Sequence, residues 1–117
     1  MVKMKSVYDA AEESDGERIL VTRYWPRGIA KARLNAAEWV REVAPSKGLL
    51  EDWKASRISW DEYTARYREE MLAQEAAVAA LRRKARKGTI TLLCYEREGD
   101  PHCHRYLLKE LIDNPRQ

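Results

Sequence analysis

A chain of 117 residues is long enough for one hydrophobic core and too short for two. Hydrophobic residues make up 44% and charged residues 35%, which excludes a disordered chain and describes a small packed body with a large wetted surface. The net charge of +3 permits an acidic partner but falls short of the excess that marks a dedicated nucleic-acid binder.

The amino-terminal Met1-Val2-Lys3-Met4-Lys5 lacks the apolar stretch of a secretory signal. Lys5-Ser6-Val7-Tyr8 is a short strand candidate, and Ser14-Asp15-Gly16 signals a turn. Arg18-Ile19-Leu20-Val21-Thr22 is an almost continuous apolar run, the pattern of a strand buried on both faces. The link between the two strands is shorter than a parallel crossover needs, so the pair is expected to be antiparallel or not directly paired. Arg23-Tyr24-Trp25-Pro26-Arg27-Gly28-Ile29 follows, and its Pro and Gly predict a loop at the strand's carboxyl end.

A helix is predicted to start at Asn35, with Glu38 as its capping-box partner, Leu34 stapled onto Trp39 and Pro45 as its bound. Leu49, Leu50 and Trp53 predict one further short helix. The clearest helix begins at Ser59, capped with Glu62, and puts Trp60, Tyr63, Tyr67 and Met71 on one face. That aromatic stripe reads as core rather than as a base-stacking surface. A second helical stretch, residues 76–87, carries Val78 and Leu81 and stops at Gly88. Its basic run, Arg82 to Lys87, reads as cations placed favourably in a last helical turn.

Residues 89–95 predict a second strong strand, joined to the one ending at Thr22 by helices, hence by a parallel, right-handed crossover. The last helix is expected to have Asp100 as N-cap and Pro101 as first residue, with Leu107, Leu108, Leu111 and Ile112 as its apolar face. The fold class is therefore α/β: a small, mostly parallel sheet of about three strands with helices packed around it, spanning 1–117 as a single domain. No apolar run approaches the ~20 residues of a membrane span. Two cysteines without an export signal point to a reducing cytoplasm as the expected compartment.

Ligands of open α/β sheets bind beyond the carboxyl ends of the strands. Two loops qualify. One carries Arg23, Trp25 and Arg27. The other runs Cys94-Tyr95-Glu96-Arg97-Glu98-Gly99-Asp100-Pro101-His102-Cys103-His104-Arg105, the densest set of reactive side chains in the chain. With Asp100 as cap, Cys103 falls in the first helical turn, where exposed N–H groups and the helix dipole favour a thiolate. Cys103 is the candidate nucleophile and Glu96 or His104 the acid/base, with Arg23, Arg27 and Arg105 holding an anion and Trp25 walling the pocket. A zinc site ranks below this reading: there is no Cys-x-x-Cys, and adjacent His102, Cys103 and His104 point in different directions on a helical turn. No metal ligand set and no cofactor motif is assigned.

These residues resemble a known family. The arginine–tryptophan–proline–arginine–glycine segment between Arg23 and Gly28, Ala44-Pro45-Ser46, the strand ending at Cys94, Cys-x-Glu at Cys94 and Cys-His-Arg at Cys103 are similar to the DUF488 family, in its short YeaO-like branch. Thr22 stands where that family usually has Asp, and the loop before Cys103 is slightly short. The resemblance implies the α/β fold and the grouping of the two loops, and it brings no established activity. A rhodanese-like or phosphatase-like analogy fails for want of a Cys-x5-Arg cradle. The leading reading is an anion-binding domain, and candidate enzyme, for a nucleotide or a phosphorylated or carboxylated small molecule. The alternatives are a nucleic-acid-binding module without catalysis and a structural or regulatory interaction domain.

Overall fold

Ile19, Leu20 and Val21 are fully buried, as a strand covered on both faces requires. In the computed structural model, which describes residues 1–95 and 103–114, Ile19 and Leu20 belong to a four-stranded sheet and Val21 follows directly. Its strands are β1 (Val2–Ser6), β2 (Glu17–Leu20), β3 (Glu38–Trp39) and β4 (Ile90–Cys94), in the order β1-β4-β2-β3. Every pairing is parallel. β4 lies between β1 and β2, with Ser6 opposite Cys94 on one side and Leu20 opposite Leu93 on the other. The two amino-terminal strands are thus not directly paired, because the last strand inserts between them.

Alternation along the strands sorts the side chains onto two faces. Ile19, Val21, Ile90 and Leu92 meet a large cluster with Leu49, Tyr63, Tyr67, Val78, Leu81 and Leu108. These come from four helices: α2 (Lys47–Lys54), α3 (Trp60–Leu72), α4 (Glu75–Lys87) and α5 (His104–Asp113). Leu20 and Leu93 face the other way, against Ile29, Leu34, Trp25 and Trp39. The aromatic stripe of α3 is core, with Tyr63 and Tyr67 buried and Trp60 packed at its edge. Ser59 caps α3 by accepting from Glu62 N, and Ser46 caps α2 in the same way through Leu49 N. Two cations of the basic run in α4 are engaged: Arg82 donates to the Leu111 and Ile112 carbonyls, and Lys84 pairs with Glu17. Among the described residues no helix is long and apolar enough to cross a membrane.

Two predicted helix starts are corrected. Asn35 does not begin a helix. It ends a short one, α1 (Lys31–Leu34), in the left-handed conformation with φ 49°, which Asn tolerates better than most residues. The segment after it is drawn onto the sheet edge, where Ala37 N bonds Arg18 O and Val40 N bonds Leu20 O. The result is β3, a fourth strand where about three were expected. α5 begins at His104 with Cys103 as N-cap, so Cys103 precedes the first turn rather than lying in it. Asp100 and Pro101, the predicted cap and first residue, lie outside the described residues. The Ser14-Asp15-Gly16 turn forms as expected, and Gly16 is required there. Its φ is +63°, and an added Cβ would sit 2.1 Å from the Thr89 carbonyl oxygen.

Candidate functional site

Because all strands are parallel, their carboxyl ends share one edge of the sheet. At that edge a cavity of about 560 Å³ opens, and its lining includes Tyr8, Thr22, Arg23, Trp25, Cys94 and His104. Tyr24, Arg27, Pro45 and Tyr95 complete much of the rim. The Arg23–Gly28 loop and the end of β4 thus meet across one space. Tyr8, which follows β1, was not expected there. Its place becomes readable only once β1 is known to pair with β4.

The loop after β2 is pinned from several directions. Thr22 Oγ1 donates to Tyr24 O at 2.7 Å, so a hydroxyl anchors the start of the loop. Trp39 Nε1 donates to Thr22 O at 2.7 Å, Trp25 Nε1 to Ile29 O at 2.8 Å, and Tyr95 Oη to Tyr24 O. Trp25 and Trp39 meet edge to face with centroids 5.5 Å apart. Arg23 Nε donates to Pro45 O at 2.8 Å, and Ser46 in turn donates its N–H and hydroxyl to Glu70. The Ala44-Pro45-Ser46 segment therefore orients the arginine of the facing loop. No carboxylate among the described residues pairs with Arg23 or Arg27.

Cys94, Cys103 and His104 gather at the floor, all buried. The two sulfurs are 3.0 Å apart, and His104 Nδ1 is 3.9 Å from one and 4.0 Å from the other. His104 Nε2 lies 2.7 Å from Val21 O. A carbonyl only accepts, so the neutral ring carries its proton on Nε2 and turns the Nδ1 lone pair toward the sulfurs. The Tyr67 ring packs against this imidazole at 5.9 Å and donates its hydroxyl away, to Val43 O. Burial, the largest cause, and nearby negative charge hold the Tyr67 hydroxyl well above the usual phenol range.

The sequence-predicted residues divide accordingly. Arg23, Trp25, Arg27 and His104 line the cavity, and Cys103 lies behind them against Cys94. Glu96 lies outside the described residues. Arg105 is fully buried and donates from Nη1 to Lys5 O at 2.8 Å, away from the cavity lining. Cys94 and Cys103 come together without a Cys-x-x-Cys spacing. Cys94 ends a strand and Cys103 caps the helix that returns to it, so residues nine apart converge at one edge.

An all-parallel α/β fold with its cavity at the carboxyl edge defines the structural class. The chain belongs to the DUF488 family: it matches DUF488-N3a, described as the active DUF488-N3 subclade, over residues 2–116. It is 36% identical over 111 residues to the uncharacterized protein YeaO of Escherichia coli (strain K12), covering 95% of this chain and 96% of that one. It is 39% identical over 112 residues to the uncharacterized proteins Mb3100c of Mycobacterium bovis and Rv3073c of Mycobacterium tuberculosis, covering 96% of this chain and 93% of theirs. No solved structure matches the chain significantly.

Proposed function

We propose that the cleft binds a small organic anion of the nucleotide class, with a phosphate or carboxylate at Arg23 and Arg27 and a planar group against Trp25 and the tyrosines. The observation that carries this is a cavity rimmed by two guanidiniums that no described carboxylate neutralises. A guanidinium offers paired N–H donors in the geometry of a carboxylate or phosphate. Arg23 keeps Nε on Pro45 O, which leaves its remaining N–H groups for a ligand. Tyr8, Tyr24, Trp25 and Tyr95 supply flat, partly polar surface of the kind that holds a ring at small entropic cost. Cys94 and His104 bring a thiol and an imidazole to the floor, beside the bound molecule. Arg105 has no part in this reading.

Thermal melts at matched ionic strength test it, with phosphate and AMP as probes. At a hundredfold excess over Kd, a ligand of the native state contributes about 2.7 kcal/mol of apparent stability. Wild type should gain accordingly. Arg27→Ala should keep its basal stability within about 0.5 kcal/mol, being an exposed position, and lose the anion effect. Equal shifts in wild type and mutant, or none in either, would overturn the proposal. If the cleft instead serves nucleic acid, a single-stranded oligonucleotide should bind with a steep negative dependence of log K on log salt.

A further inference from the structure

We propose that Cys94, Cys103 and His104 form a binding site for one thiophilic divalent cation of the zinc class at the floor of the cleft. These are the three residues whose ligating atoms all lie within 4.8 Å of one another among the described residues. Two of them lie in regular elements and the third caps one. Cys94 is the last residue of β4, Cys103 the N-cap of α5 and His104 its first residue.

The distances suit a tetrahedral ion. With metal–sulfur bonds of about 2.3 Å and a metal–nitrogen bond of about 2.05 Å, tetrahedral angles put sulfurs about 3.8 Å apart and sulfur and nitrogen about 3.6 Å apart. The observed sulfur–nitrogen distances of 3.9 and 4.0 Å need to close only slightly. The sulfurs, at 3.0 Å, need to part by a side-chain rotation. The ring orientation is already set. Val21 O accepts from Nε2, which fixes the ligating tautomer on Nδ1, as carbonyl partners do for metal-bound histidines.

Charge favours a divalent ion. Binding converts both thiols to thiolates and releases two protons to solvent, so a dication, two thiolates and a neutral imidazole sum to zero. A neutral assembly is the one a buried site accommodates at least cost. Thiolate and imidazole donors select zinc-like ions over magnesium or calcium. Cys94 and His104 both line the cavity, so an ion held there would lie at its floor. A disulfide would use the two sulfurs but leave unexplained why Nδ1 is aimed almost equally at both. The proposal goes beyond the anion reading and stands without it.

The test uses the full chain, reduced, stripped with a chelator and kept in phosphate-free buffer. Cobalt(II) titration should saturate at one equivalent, with intense thiolate-to-cobalt absorption in the near ultraviolet and the strong visible bands of a tetrahedral ion. Zinc should displace it and protect both thiols from alkylation, read by mass spectrometry. Cys94→Ser, Cys103→Ser and His104→Gln should each weaken binding about tenfold or more. Should any variant not fold, thiol protection in the wild type decides alone. Absence of cobalt uptake by the reduced chain, a spectrum without thiolate absorption, or unprotected thiols would overturn the proposal. So would a pair that responds only to oxidants, losing two hydrogens of mass. None of these readouts involves an anion, so failure here leaves the cleft reading to its own test.

Discussion

Asp15→Asn should destabilise the protein by about 3–5 kcal/mol, the range for breaking a buried ion pair from one side. Asp15 is fully buried, and both its oxygens are committed. Oδ1 lies 2.9 Å from Lys5 Nζ, and Oδ2 lies 2.6 Å from Arg18 Nη1 while accepting Glu12 N at 3.0 Å. Asparagine keeps the shape, removes the charge and turns an amide donor toward cations. Arg18, only 3% exposed, would keep its charge without the carboxylate that offsets it. Urea unfolding at neutral pH measures the loss, and a change below about 1 kcal/mol would contradict this account of the cluster.

The same carboxylate sets an acid limit. Burial pushes its pKa upward, but hydrogen bonds from Lys5, the Glu12 N–H and Arg18 outweigh that and bring it to about 2. The folded value lies below the unfolded one. The contribution, about 2 kcal/mol, is therefore present above pH ~4 and is lost as the pH falls from ~4 toward ~2. Wild-type stability should decline across that window, and Asp15→Asn should lack this part of the decline.

Arg105→Ala should cost about 2–5 kcal/mol, the range for truncating a large core side chain, in contrast to the near-neutral Arg27→Ala. Its guanidinium bonds the Lys5 carbonyl across 100 positions of chain and lies beside the Tyr106 ring at 5.3 Å. Truncation leaves a void and strips a bond from the β1 backbone. Arg105→Lys should recover only part of the loss, since an ammonium cannot fill the same planar space. Phosphate should still stabilise Arg105→Ala, because that arginine does not line the cleft. A harmless Arg105→Ala that also abolished the phosphate effect would return Arg105 to the anion site and refute its role as a brace.

Local chemistry made much of this legible. Ser59 with Glu62, followed by apolar residues at helical spacing, specifies α3 without outside help. Gly88 ends α4 by donating to Lys84 O. The apolar runs of β2 and β4 require burial on both faces, and burial on both faces implies parallel strands with helices around them. The Pro and Gly of residues 23–28 put two arginines and Trp25 in a loop, and parallel strands put that loop at the edge where the cavity opens.

Only the tertiary structure decided the rest, because the deciding contacts join distant residues. Asn35 suits a helix start and a left-handed helix end equally well. The backbone bonds from residues 37 and 40 to β2 chose the second. A two-residue strand such as β3 is too short to show a period. Arg105 carries the same charge as Arg27, and only the tertiary structure buries the first and leaves the second exposed at the cavity rim. Cys94 and Cys103 have no spacing that announces a pair. They meet, with His104, because β4 and α5 converge where the sheet ends. Sequence by itself determined the elements, whose physics is local, and the edge at which a site forms. How β4 and α5 pack against one another is a property of the whole core, and that packing brings Cys94, Cys103 and His104 together.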